Sequence, residues 1–246
     1  AASILHETVG DYFRAIEQYR AILKSRPEDE KSRDALEACY RELEDWTSLI
    51  KLLQERVDSP GDVEKRRELL TEIGELQLSK VNSPAGALET YLALYDLAPD
   101  DFGVTRKIDA LYRHQERFDE LDEFYARLAE AVRLSPDGEG RERHEETLFK
   151  RAALLFEELD DRPGALGVFE ELLEKNPAHE GVVAFLEQVE PPGDEMVKAL
   201  LERAYGKRGE WDKVLERLNH ELESTLEPEP RGKLFCRIAE VYEGDL

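Results

Sequence analysis

ACYRELEDWTSLIKLLQERV occupies residues 38–57, and two further stretches answer to it along the chain. ALYRHQERFDELDEFYARLA covers 110–129, and RAYGKRGEWDKVLERLNHEL covers 203–222. Each carries a Tyr (Tyr40, Tyr112, Tyr205) and, six residues later, a large aromatic (Trp46, Phe118, Trp211). An aliphatic follows three residues on (Leu49, Leu121, Val214), and the next common position holds Leu53, Tyr125 or Leu218. A catalytic constellation seldom recurs in triplicate. A structural unit that cannot bury its apolar face alone does recur, because its copies bury one another.

A second element alternates with the first. DYFRAIEQYRAILKSRPED (11–29), NSPAGALETYLALYDLAPDD (82–101) and DDRPGALGVFEELLEKNPAH (160–179) share an Ala (Ala15, Ala87, Ala165). An aromatic lies four residues on (Tyr19, Tyr91, Phe169), an aliphatic three later (Ile22, Leu94, Leu172) and a Pro five later again (Pro27, Pro99, Pro177). The Ala is small where two helices approach closely, the aromatic fills the gap to the next hairpin, and the Pro stops the helix.

Helix periodicity runs through the rest. Leu70, Ile73, Leu76 and Gln77 form one stripe, and Leu148, Ala152, Leu155, Phe156 and Leu159 another. Gly and Pro gather between these runs, in DSPGD, SPDGEG, EPPGD and EPEP, with Asp or Ser at hand as caps. About thirteen helices of roughly 10–18 residues follow, each too short to stand alone in water.

This pattern resembles the tetratricopeptide repeat (TPR), a 34-residue helix-turn-helix read as W-x2-L-G-x2-Y…A-x3-F…P. The steps from Ala15 to Leu49 and from Ala87 to Leu121 are both 34 residues. Ile73–Gly74–x2–Gln77, Ala152–Ala153–x2–Phe156 and Ile238–Ala239–x2–Tyr242 supply the first-helix half, with Gln77 the poor member. Leu36…Tyr40, Ile108…Tyr112 and Leu201…Tyr205 supply it in the alternate repeats. There the small residue is replaced by Glu37, Asp109 and Glu202, the second-helix Ala by Leu49, Leu121 and Val214, and the closing Pro is missing. Those pairs should splay relative to a regular repeat. The resemblance implies an all-α, right-handed α-solenoid of about six stacked antiparallel helix hairpins. A two-hairpin super-repeat of about 72 residues, as in long TPR arrays of large bacterial proteins, describes it best.

The expected organisation is an array over 1–178, an irregular insertion over 179–194 and a continuing hairpin over 195–246. The insertion, VVAFLEQVEPPGDE, predicts an extra short helix near 180–189 and then a kink, or else a surface loop. Neither end reads as a polar cap, so a segment of a longer protein is expected.

The chain of 246 residues carries 34 basic and 57 acidic side chains, a net charge of −23. Such a surface repels phosphate and anionic membranes, which argues against nucleic-acid and membrane partners. Cys39 and Cys236 read as small buried hydrophobes of a reduced, cytoplasmic protein. His6, His114, His144, His179 and His220 are scattered, and HEETL (144–148) and NHELE (219–223) lack the second His of a zinc helix. PDGEGRER (136–143) has no phosphate-loop Lys and reads as a linker, and acidic runs such as RPEDE and EELDD read as solvated turns. No catalytic residue, metal or cofactor is expected.

TPR arrays hold proteins, and the resemblance implies a peptide or partner helix lying along a concave groove lined by first helices. The family's groove-facing places fall on Lys31, Asp34 and Arg41, on Arg106, Arg113 and His114, and on Arg203 and Lys207. In the other repeats they fall on Glu68, Glu75, Lys150, Glu157, Glu158 and Glu240. The cations among them would engage an acidic segment of a partner, Arg by its bidentate fork, or else pair with neighbouring carboxylates. A chaperone-type carboxylate clamp is not expected, since Asn82, Asn176 and Asn219 lie at breaks or on second helices. A spacer or self-association role, or a regulatory segment of an enzyme outside this chain, is the alternative.

Overall fold

In a computed structural model, residues 12–59, 62–99, 101–133, 140–177, 179–189 and 194–244 are described, and they hold thirteen helices and no strand. The chain divides into two compact units, residues 1–117 and 118–246. Unit 1 contains α1 (Tyr12–Ser25), α2 (Glu30–Glu42), α3 (Trp46–Val57), α4 (Val63–Ser79), α5 (Pro84–Leu97) and α6 (Phe102–His114). Unit 2 contains α7 (Phe118–Arg133), α8 (Gly140–Glu157), α9 (Arg162–Lys175), α10 (Glu180–Val189), α11 (Glu195–Arg208), α12 (Trp211–Ser224) and α13 (Pro228–Gly244). Within each unit the architecture is all-α, hairpin packed on hairpin.

Helix starts follow the local chemistry. The Asp101 carboxylate accepts from the backbone N–H groups of Gly103 (3.0 Å) and Val104 (3.3 Å), opening α6. Asp194 does the same for Met196 and Val197 at α11, both at 3.1 Å. Asp45 caps α3 through Ser48 N–H, and Asp161 caps α9 through Gly164 N–H. Each such bond satisfies an N–H that the first turn would leave orphaned.

The turn after the repeated Tyr is the same in all three copies. Asp45 N–H donates to Tyr40 O (2.9 Å), Arg117 N–H to Tyr112 O (3.1 Å) and Glu210 N–H to Tyr205 O (2.9 Å). The residue just before each donor is left-handed: Glu44 (φ 53°), Glu116 (φ 54°) and Gly209 (φ 70°). Only Gly adopts that conformation without a Cβ penalty, so two of the three copies carry backbone strain.

The α4–α5 hairpin shows what the repeat signature does. Ala87, Tyr91 and Ile73 are fully buried. A Cβ added at Gly74 would sit 2.7 Å from Tyr91 Cζ, so only Gly lets the ring lie against α4. Gln77, where the pattern asks for an aromatic, is buried and accepts from Thr90 Oγ1 at 2.8 Å. The poor match is thus a satisfied polar pair.

In the α2–α3 hairpin Glu37 stands where Gly74 stands in α4. It accepts from Arg56 of α3 (2.9 Å) and from Arg41 (2.8 Å), so ion pairs replace close packing. Helices α2–α3 and α11–α12 are in much looser contact than α4–α5 or α8–α9, as the substitution of a charged side chain for a small one dictates.

In unit 2, α10 fills the place predicted for an extra helix. Val182, Val183 and Leu186 are buried, and Phe185 reaches Phe169 (5.2 Å between ring centroids), Phe149 (6.0 Å) and Phe156 (5.7 Å). Helix α10 is therefore part of the core and not a surface loop. The Pro-Pro-Gly break, residues 136–139 of the expected linker, and the N-terminal stretch with His6 lie outside the described residues, while 140–143, expected as linker, form the first turn of α8. One expectation fails: Cys39 is buried, but Cys236 on α13 is exposed. No described helix covers that side of α13, where Phe235 and Tyr242 are exposed as well.

Candidate functional site

The first helices of the hairpins are α2, α4 and α6 in unit 1, and α8, α11 and α13 in unit 2. Their inward edges are spent on packing, and their outward edges carry charge. In unit 1 these edges are linked. Arg41 of α2 is ion-paired with Glu72 of α4, and Lys107 Nζ of α6 lies 3.4 Å from Glu75 Oε1 of α4. Lys107 also donates to Tyr91 Oη (3.3 Å) and lies 4.9 Å from the centre of that ring. Burial works against the Arg41 and Lys107 charges. The hydrogen bonds to Glu37 and Glu72, and to Tyr91 and Glu75, outweigh it and hold both above their ordinary values.

Between α4 and the start of α6 lies an open cleft of about 340 Å³. Its walls carry Glu64, Glu68, Glu72, Glu75 and Asp101, with Arg67 and Thr71, and Leu94 of α5 forms the floor. Arg67 lies 3.5 Å from Asp101 and 3.3 Å from Glu64, so one cation serves several carboxylates. This portion of the face is acidic: Glu68 and Glu75 stand among the expected groove positions, and Glu64, Glu72 and Asp101 join them. The i, i+4 spacing of Glu64, Glu68, Glu72 and then Glu75 was the available signal.

The eight cationic positions divide evenly. Arg41 is paired with Glu37 and Glu72, and Arg113 Nε lies 3.0 Å from Asp109 Oδ1. Lys150 Nζ lies 2.7 Å from Glu146 Oε1, and Arg203 is held by Glu170 and Glu174 of α9. The other four, Lys31, Arg106, His114 and Lys207, are exposed and make no ion pair among the described residues. Asp34 lies 3.9 Å from Arg56, and Glu68, Glu157, Glu158 and Glu240 are exposed.

Other polar candidates have structural work. His179 Nδ1 accepts from Val182 N–H (3.2 Å) and its ring stacks on Phe149. His144 Nδ1 is 2.9 Å from Ala129 O, and Asn176 donates to Glu145 (3.1 Å) at the end of α9. Tyr205 donates to Glu187 of α10, and burial, ahead of that carboxylate, raises its phenol well above the ordinary value. Among the described residues no three His, Cys, Asp or Glu side chains converge as metal ligands, and no helix is long and apolar enough to cross a membrane.

No family model matches the sequence, and no curated protein matches it. Solved structures do. YrrB, described as a TPR protein with an unusual peptide-binding site, is 15% identical over 76% of this chain and 88% of its own, with a TM-score of 0.35. The C-terminal part of a TPR repeat-containing protein from Cytophaga hutchinsonii is 13% identical over 99% of this chain and 95% of its own, with a TM-score of 0.42. The TPR2AB domain of yeast Sti1, solved with pHSP90, is 16% identical over 98% of this chain and 94% of its own, with a TM-score of 0.31. Those scores are low, and the hairpin type is read instead from Gly74 against Tyr91, the buried Ala15, Ala87 and Ala165, and the threefold Tyr turn. Signature and packing together make this an all-α array of helix hairpins that resembles the tetratricopeptide repeat.

Proposed function

We propose that this chain is a non-enzymatic protein-interaction scaffold that binds a partner peptide or protein along its first-helix faces, in a reducing, cytoplasmic setting. The observation that carries the reading is the division of the cations. Lys31, Arg106 and His114 in unit 1, and Lys207 in unit 2, stand exposed and unpaired, while the cations beside them are already neutralised. An unpaired surface cation can meet a partner's carboxylate without first breaking an internal pair. Arg41, Arg113, Lys150 and Arg203 would have to exchange one carboxylate for another, for little net gain. An acidic partner segment therefore suits Lys31 and Arg106, and the carboxylates beside α4 suit flanking basic residues of the same partner.

The test is the double charge reversal Lys31→Glu/Arg106→Glu. Affinity is measured for the partner that co-purifies with the intact protein. A loss of roughly tenfold or more is expected. Unchanged affinity with an unchanged circular dichroism spectrum would remove the first-helix face from the interaction.

A further inference from the structure

On the second-helix side of unit 1, an open cleft of about 450 Å³ lies between α1 and α3. Leu36 and Leu52, both buried, and half-buried Leu23 make its floor apolar. Arg20 and Lys24 rise from α1 on one wall, and Lys51 and Ser48 from α3 on the other. One carboxylate, Glu55, lines it. None of the three cations makes an ion pair among the described residues, although the chain as a whole carries −23. A local excess of unpaired positive charge over an apolar floor is the reverse of the surrounding surface.

Tyr40 adds an independent observation. It is 3% exposed, and it lines this cleft. Arg20 Nε donates to its hydroxyl oxygen at 2.7 Å, and Arg20 Cζ lies 5.5 Å from the centre of the same ring, which fixes the guanidinium beside the phenol. The tyrosine's own proton has no acceptor among the described residues. A buried hydroxyl with an unused proton, on a residue that lines a cleft carrying three cations, can donate to an anion bound there.

We propose that this cleft is a second docking site, separate from the first-helix face, and that it takes an acidic peptide segment carrying one apolar side chain. The apolar side chain lies on Leu36 and Leu52. Carboxylates on either side meet Arg20 and Lys24 on one wall and Lys51 on the other, and Tyr40 Oη–H donates to one of them. The volume lies in the range of small-ligand sites and exceeds what a single inorganic anion fills. The two walls carry charge on both sides of the floor, as an extended segment requires.

The probe is a fluorescein-labelled, end-capped Glu-Glu-Leu-Glu-Glu peptide, titrated into the full chain at low salt by fluorescence anisotropy. Its Lys-Lys-Leu-Lys-Lys counterpart is the control. Saturable binding of the acidic peptide that weakens with salt is expected. Lys24→Glu and Lys51→Glu, both at exposed positions, should each weaken it roughly tenfold or more. Tyr40→Phe should weaken it less, and Lys175→Glu, at an exposed position on α9 of unit 2, should leave it unchanged. No saturable binding overturns the proposal, as does equal binding of the basic peptide. Binding lost in Arg106→Glu but kept in Lys51→Glu would place the peptide on the first-helix face and overturn it too.

Discussion

Gly74→Ala tests whether the α4–α5 approach is set by a missing Cβ. In an exposed helix interior this change stabilises by about 1 kcal/mol, because Ala loses less backbone entropy than Gly. Here the added methyl would lie 2.7 Å from Tyr91 Cζ, 2.9 Å from Cε1 and 3.0 Å from Oη. Tyr91 is fully buried and its hydroxyl is tied to Lys107, so the ring has no free space to enter. Overpacking of this kind costs about 1–3 kcal/mol, which offsets or exceeds the propensity gain. Tyr91→Leu removes the atoms that clash. In that background Gly74→Ala should recover its stabilising effect. The four-member cycle should therefore show a coupling of about 1–3 kcal/mol, measured by urea unfolding and far-ultraviolet circular dichroism. If Gly74→Ala alone stabilises the protein by about 1 kcal/mol, and the coupling vanishes, the hairpin is not packed as described.

Thr90→Val leaves the buried Gln77 carbonyl without its donor and should cost about 1–3 kcal/mol in urea unfolding. Glu44→Gly relieves a left-handed residue at φ 53° and should stabilise by about 0.5–1 kcal/mol in the same assay. Phe185→Ala removes the ring that α10 places against Phe149, Phe156 and Phe169, and should cost about 2–3 kcal/mol with increased amide exchange in α8 and α9. Burial, opposed by Arg237, raises the Glu202 carboxyl above its ordinary value of 4.5. The folded state then binds that proton more tightly than the unfolded chain. The contribution of Glu202 to stability is therefore full below 4.5 and lost as pH rises through the elevated value. Glu202→Gln should remove that slope from a plot of melting temperature against pH.

The register of the hairpins was legible because repeat packing is local. Ala87 and Tyr91 sit one helical turn apart, and Gly74 one helix earlier, so a short window holds the whole contact. The loosening of α2–α3 was legible for the same reason, from Glu37 in a small residue's place. Other features depend on distant partners. Arg41 meets Glu72 across 31 residues, and Arg203 meets Glu170 across 33, so a window of helix size shows a basic position and hides its neutralisation. Gln77 read as a mismatch because its satisfying partner, Thr90, lies on the next helix. The left-handed turn showed itself only at Gly209, since Glu44 and Glu116 carry no mark of the conformation their hydrogen bonds impose. Cys236 falls in an apolar helical pattern, yet burial depends on a neighbouring helix, and none covers it among the described residues.

The most direct test of the scaffold reading is site-specific photo-cross-linking in the native host. A benzophenone amino acid replaces Arg106 on the first-helix face of α6 or, as control, exposed Glu89 on second helix α5. The account predicts one discrete cross-linked protein from position 106 and none from position 89. Equal labelling from both positions, or none from position 106 when the partner is present, would contradict it.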